Sequence, residues 1–255
     1  MKKSLATLLL FSVLFFFSPT PTYAANTHST HLIAASSQYF SIADASQTGL
    51  DVTGDFTWSV WIAMASASGS WRGIFEKGPY GAGAYGYGSE YSADQGKLDM
   101  WIGDGVGLDF PNFTGVNLGT ATTTLTWRRS GTTCSLWVNG TKQTDITCTR
   151  NPGGASNTGE FHIGLDIGTY IDANIDEFLF YNAALSDAQA AALYTDPCNP
   201  YTTGLVSQWA FDNNGNDSVG SNNLTNTNSA TFVSPMFTCA SATLPDQSGD
   251  FMIFE

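Results

Sequence analysis

Apolar and polar residues alternate with a period of two along much of the chain. Phe56, Trp58, Val60, Ile62 and Met64 interleave with Asp55, Thr57, Ser59, Trp61 and Ala63. Such spacing puts one set on each face of a strand, and a helix would not give it. Leu98, Met100 and Ile102 interleave with Lys97, Asp99 and Trp101; Cys134, Leu136 and Val138 with Ser135 and Trp137; Phe161, Ile163 and Leu165 with His162 and Gly164. Phe178 and Phe180 stand between Glu177, Leu179 and Tyr181. Short runs of this kind, separated by Gly, Asn, Asp and Thr clusters, predict an all-β antiparallel sandwich of two sheets. Gly78–Tyr91, rich in Gly and Tyr, reads as a loop and the start of a strand.

One short helix interrupts the pattern. Ser186-Asp187-Ala188-Gln189 is a capping box, and the Ala-rich run after it favours helix as far as Asp196-Pro197. Proline restricts the residue before it and ends the run there. At about ten residues, this helix is expected to cap a sheet edge.

The N-terminus changes the picture of where the protein works. Lys2 and Lys3 precede an apolar stretch from Leu8 to Phe17, and Thr22-Tyr23-Ala24 offers small residues for cleavage. This predicts a secretory signal over 1–24, a domain over 25–239 and a loose tail over 240–255, with the product secreted, extracellular or periplasmic. A stretch of ten residues is too short to cross about 30 Å of hydrocarbon, so no membrane insertion is expected. In an oxidising compartment four cysteines suggest two disulfides. Cys134 and Cys148 flank a hairpin with Asn139-Gly140 at its turn, and Cys198 and Cys239 bracket the C-terminal segment, which favours nearest-neighbour pairing. The formal charge is −13 and becomes −15 once the two signal-peptide lysines are removed. A chain so acidic has no cationic footprint for nucleic acid.

Four segments carry a resemblance to the laminin G-like domains of the concanavalin A-like jelly-roll superfamily. SSQYFSIADASQTGLDVTGDFTWSVWI (36–62) resembles the opening strand pair, and TLTWRRSGTTCSLWVNG (124–140) an inner hairpin. NIDEFLFYNAALSDAQAAALY (174–194) is similar to a strand and helix of the family, and GLVSQWAFDNNGNDSVGSNNLT (204–225) to a segment that opens the domain in many relatives. Here that segment comes last, and 204–238 is expected to close a single jelly roll. The resemblance also implies a structural calcium held by loop carbonyls and acids near the first and last strands. Asp176 and Asp217 match motif positions, with Asp212 next. The competing reading of the acidic loop is one of Asx turns that bond their own backbone.

Two classes of chemistry compete on such a fold. A retaining glycosidase needs two carboxylates about 5 Å apart. The hydrolases of the superfamily carry them on one strand as E-x-D-x-x-E, which this chain lacks; the acids of IDANIDEF (171–178) have the wrong types and spacing. No Gly-x-Ser-x-Gly elbow is present. A non-catalytic, lectin-like module binding carbohydrate or a glycosylated surface is therefore expected, with an adhesive protein-binding domain or a glycoside hydrolase as alternatives. Trp61, Trp101 and Trp137 lie on the strand face opposite the apolar set. Rings exposed there can stack on sugars, and Tyr85 and Tyr87, with Tyr80 and Tyr91, could complete the surface. The alternative is that loops cover these rings.

Overall fold

The structure, a computed structural model, describes residues 25–81 and 83–239. The expected signal peptide and tail lie outside the described residues. The strands are β1 (Ser29–Leu32), β2 (Tyr39–Ile42), β3 (Phe56–Met64), β4 (Arg72–Lys77), β5 (Tyr85–Ser92), β6 (Lys97–Asp104), β7 (Leu108–Asp109), β8 (Asn112–Thr114), β9 (Thr123–Ser130) and β10 (Thr133–Val138). They continue with β11 (Thr141–Lys142), β12 (Ile146–Thr147), β13 (Phe161–Ile163), β14 (Leu165–Asp166), β15 (Thr169–Tyr170), β16 (Ala173–Tyr181), β17 (Leu205–Trp209), β18 (Thr225–Thr227) and β19 (Thr231–Val233). The helix α1 spans Asp187–Thr195.

Two antiparallel sheets pack face to face, as the alternation predicts. Sheet A runs β11-β10-β9-β3-β16-β1-β19, with β12 on β10 and β17 on β16. Sheet B runs β18-β2-β13-β4-β5-β6-β7, with β8 on β6, and β14 pairs β15 in a small separate ladder. The apolar parity of each strand meets in the middle. Phe56, Trp58, Phe75, Phe161, Phe178, Phe180 and Trp209 are fully buried there. Phe161 stacks on Trp209 at 5.2 Å, and Trp58 meets Phe75 edge-on at 5.1 Å.

The last segment joins both sheets. Strand β17 pairs with β16 and β19 with β1 in sheet A, while β18 pairs with β2 in sheet B. Both disulfides join nearest neighbours, Cys134 to Cys148 and Cys198 to Cys239, with Cα separations of 5.8 and 5.6 Å. The β10–β11 turn places Asn139 and Gly140 at φ of 49° and 72°, the left-handed pair that a tight hairpin needs.

Helix α1 begins with the expected reciprocal cap: the Gln189 N–H donates to Ser186 Oγ, and the Ser186 N–H to Gln189 Oε1. It covers the outer face of sheet A, not an edge. Leu185 and Leu193 pack on Leu179 and Tyr181, and Asp187 pairs with Arg128 at 2.7 Å and Lys142 at 3.0 Å.

Candidate binding face and the acidic loops

The three outward tryptophans point away from the inter-sheet core, yet they do not form an open platform. Trp101 and Trp137 are each 2% exposed. Arg128 and Lys142 lie over the Trp137 ring at 4.9 and 5.4 Å, so the cations that neutralise Asp187 also seal the indole. Trp61 is half-buried and packs against Tyr194 of α1 at 5.8 Å and Phe237 at 4.7 Å. The reading of Tyr87 as a surface ring is likewise corrected. It is a core residue on the inner parity of β5, with its hydroxyl donating to the Leu50 carbonyl at 2.7 Å. Tyr85 is half-buried and wedged against Gly105 and Gly153.

What covers Trp101 builds a different surface. Gly86 and Gly88 present no side chain on the outer face of sheet B, and a Cβ on either would overlap the Trp101 ring. The indole therefore lies flat across β5. Strand β14 then drops Asp166 onto the same spot, and the Trp101 Nε1–H donates to both carboxyl oxygens at 2.9 Å. Tyr80 meets Trp101 edge-on at 5.6 Å, and Phe110 stands 6.0 Å from Tyr80. Tyr80 and Phe110 are open to solvent, at 42% and 49% exposure. Pro79, the residue before Tyr80 in the chain, lines a cleft of about 350 Å³ together with Glu76, Gly78, Thr158, Gly159, Glu160 and His162. That volume is at the lower end of the range for small-ligand pockets, about 300 to 1,000 Å³.

Ionisable groups on this face are chained together. His162 sits opposite Glu76 on the adjacent strand. Its Nδ1 lies 2.9 Å from Glu76 Oε1, and its Nε2 lies 3.0 Å from Glu160 Oε2. Burial pulls the imidazole pKa down, but the two carboxylates outweigh it and raise it. For Glu76 burial acts upward, and hydrogen bonds from His162 and the Ile167 N–H overcome it and hold the carboxyl below its ordinary value. Burial first, then the charge of Glu76, pushes the Asp166 carboxyl well above its ordinary value. On the same face Glu90 of β5 stands opposite Asp99 of β6. Burial lifts Glu90 to about 7 and Asp99 to about 6. The acids of sheet B thus come from several strands, which a search along one strand could not reveal.

A hard cation needs several oxygen ligands, and the acidic loop and β16 offer Asp212, Asp217 and Asp176. Asp217 does not fit. Its Oδ1 takes the N–H groups of Gln208, Val219 and Gly220, and its Oδ2 that of Asn222, which is the turn-forming role. Asp212 Oδ1 accepts the N–H groups of Thr27 and His28 and the Thr27 hydroxyl. Asp176 is fully buried at a bulge in β16. Its Oδ2 accepts from Asn26 Nδ2 and the Met236 N–H, both at 3.0 Å. Its Oδ1 and the Oδ1 of Asn26 are buried without a donor. Calcium takes about six to eight oxygens, and these two buried, donor-less oxygens on hydrogen-bonded side chains could supply part of such a set. Among the described residues no three of His, Cys, Asp and Glu converge on a metal, so the three-aspartate set expected from the sequence does not form. Burial, eased by Asn26 and Met236 but reinforced by Asp212, puts Asp176 at about 7.

Two further cavities lie elsewhere. One of about 710 Å³, lined in part by Asp55, Arg129 and Asn151, opens at an end of the sandwich. Arg129 there is already committed to Asp55, Asn151 and the Arg150 carbonyl. The other, of about 460 Å³, lies beside the Cys198–Cys239 bridge. Neither combines exposed aromatic rings with polar groups as the Tyr80 face does.

The Laminin_G_3 family model, described as the concanavalin A-like lectin/glucanases superfamily, matches residues 34–191. The chain belongs to that superfamily. No curated protein sequence matches it. Among solved structures, this laminin G-type chain is similar to a candidate carbohydrate-binding protein from Bacteroides ovatus, with TM-score 0.62 and 15% identity over 86% of its own length. It spans 62% of that protein. It is also similar to the CBM40 of the Ruminococcus gnavus IT-sialidase bound to α2,3 sialyllactose, with TM-score 0.52 and 12% identity over 68% of this chain and 100% of that one. At these identities the likeness is one of fold. No helix among the described residues is long and apolar enough to cross a membrane.

Proposed function

We propose that the protein is an exported, non-catalytic module that binds carbohydrate or a glycosylated surface through the outer face of sheet B. One observation carries the reading: Tyr80 and Phe110 are open to solvent with their rings 6.0 Å apart, Tyr80 is held edge-on to buried Trp101, and Pro79, the residue before Tyr80, lines a polar cleft. Aromatic rings fixed in this way stack on the apolar face of a sugar ring, while nearby carboxylates and carbonyls take its hydroxyl groups. The sugar-binding fold neighbours and the two disulfides support the reading and its extracellular setting. A calcium ion held by Asn26 and Asp176 completes it as a structural part, remote from the ligand.

The test is a glycan array followed by titration of the best neutral oligosaccharide. Tyr80→Ala and Phe110→Ala are each expected to weaken binding about tenfold or more, because exposed aromatic anchors dominate such sites, with the circular dichroism spectrum unchanged. Unaltered affinity in both variants contradicts the proposal. Release of reducing ends from the bound glycan contradicts the non-catalytic part, and the opposed Glu90 and Asp99 are the first pair to substitute in that event.

A further inference from the structure

We infer that the cavity beside Arg129, at an end of the sandwich, is a second ligand site that takes the vicinal hydroxyl groups of a neutral sugar residue. The inference is independent of the Tyr80 face, and the described lining of this cavity holds no aromatic ring. Its volume, about 710 Å³, falls inside the small-ligand range. Strand β9 contributes Arg129, which is only 3% exposed. The residue before β3 and the segment after β12 supply Asp55 and Asn151. Arg129 Nη1 donates to Asp55 Oδ1 at 3.2 Å, Nη2 donates to Asn151 Oδ1, and Nε donates to the Arg150 carbonyl at 3.0 Å. One buried, planar fork therefore fixes a carboxylate and an amide side by side.

The two held groups keep complementary atoms free. Asp55 spends Oδ1 on Arg129 and on the Gly131 N–H at 2.7 Å, and its Oδ2 has no donor among the described residues. Asn151 spends its carbonyl oxygen on Arg129, and its Nδ2 has no acceptor among the described residues. Neighbouring hydroxyl groups on a sugar ring match this pair: one donates to Asp55 Oδ2, and the next accepts from Asn151 Nδ2. Charge favours a neutral ligand. Arg129 is matched by Asp55, and Asp51, the other acid of the lining, is matched by Lys77 at 3.1 Å. An ionic ligand has to break a matched pair or stand unmatched beside one, and either is costly at a buried charge. Gly54 keeps the cavity accessible. Its backbone lies outside the left-handed region, and an added Cβ would meet nothing within 4 Å, so neither conformation nor packing calls for glycine there.

The experiment adds the methyl glycosides of glucose, mannose and galactose, one at a time, to isotope-labelled full-length protein and follows backbone amide resonances. Glycerol serves as a diol that is not a sugar, and glucuronate as a charged sugar. At least one glycoside is expected to give saturable shifts at Gly54, Gly131 and Asn151, with a dissociation constant on the order of 1 mM. Glycerol and glucuronate should both bind more weakly. Asn151→Asp keeps an acceptor for Arg129 and removes the amide donor, so affinity should fall about tenfold with the circular dichroism spectrum unchanged. Gly54→Gln fills the open space and should abolish the shifts. Tyr80→Ala should leave them as they are. The inference is overturned if no glycoside gives saturable shifts at the cavity, or if glycerol or glucuronate binds as tightly as the best glycoside. Unaltered affinity in either cavity variant, or loss of the cavity shifts in Tyr80→Ala, overturns it as well. Failure of the Tyr80 face on the array, with the cavity shifts intact, overturns the stacking reading and leaves this inference standing.

Discussion

Glu90 and Asp99 face each other across β5 and β6, an arrangement that opposes folding when both are charged. Burial, with the nearby charge of Glu76 and with Thr169, Lys97 and Asn112 acting the other way, leaves both carboxyls raised, to about 7 and about 6. A carboxyl with a raised folded value favours the folded state in its protonated form. That contribution is complete below the unfolded values, near 4.5 and 3.8, and is lost as pH climbs through about 6 and then about 7. The melting temperature should therefore fall between about pH 5 and about pH 8, by about 2 °C or more. Glu90→Gln should flatten that slope, and a melting temperature that rises over the same interval would show that the pair is not buried as described. Several single residues were legible in advance. The parity of Phe56, Trp58, Phe161 and Phe178 put them in the core, where they are fully buried. Trp101 was legible in direction only, because its cover comes from far along the chain: Asp166 is 65 residues from it. The Gly86-x-Gly88 repeat was the available signal. Glycine at every second position leaves one strand face bare, and a bare face invites something flat to lie on it.

At the level of elements, the long strands, the Asn-Gly hairpin and the capped helix follow from period and turn chemistry. The β14–β15 ladder does not, since two residues per strand are too few to show a period. Phe110, which completes the aromatic pair, lies in the connection between β7 and β8 and has no periodic context either. The bulge in β16 is a third case. It opposes Asp176 to Trp61 and Leu179 to Ser59, so Asp176 and Glu177 leave the simple alternation, and Glu177 takes a positive φ of 45°. That bulge places Asp176 between Asn26, ahead of β1, and Met236, after β19. An ion at Asn26 and Asp176 would tie the first and last parts of the described chain together. Chelation with EDTA is expected to lower the melting temperature by about 2 °C or more at neutral pH, and Asp176→Asn to remove the response. A melting temperature indifferent to both calcium and chelator would count against the ion.

For the whole molecule, the two sheets divide their labour. The outer face of sheet A is closed by α1, by the Arg128 and Lys142 cations and by the disulfide-linked segment around Phe237. The outer face of sheet B keeps two aromatic rings and an acidic cleft open to solvent. A rigid sandwich pinned by two disulfides suits a preformed site, since side chains already held in place lose little freedom on binding. The superfamily hosts many functions, and the fold by itself does not choose among them; the open aromatic pair is the feature on which the proposal of sugar binding rests. The most direct test is to titrate isotope-labelled protein with the best glycan from the array while following backbone amide resonances. The account predicts shifts gathered at Tyr80, Gly88, Phe110 and His162. Shifts confined to the Trp61 and Trp137 side of sheet A, or to the cavity beside Arg129, would contradict it.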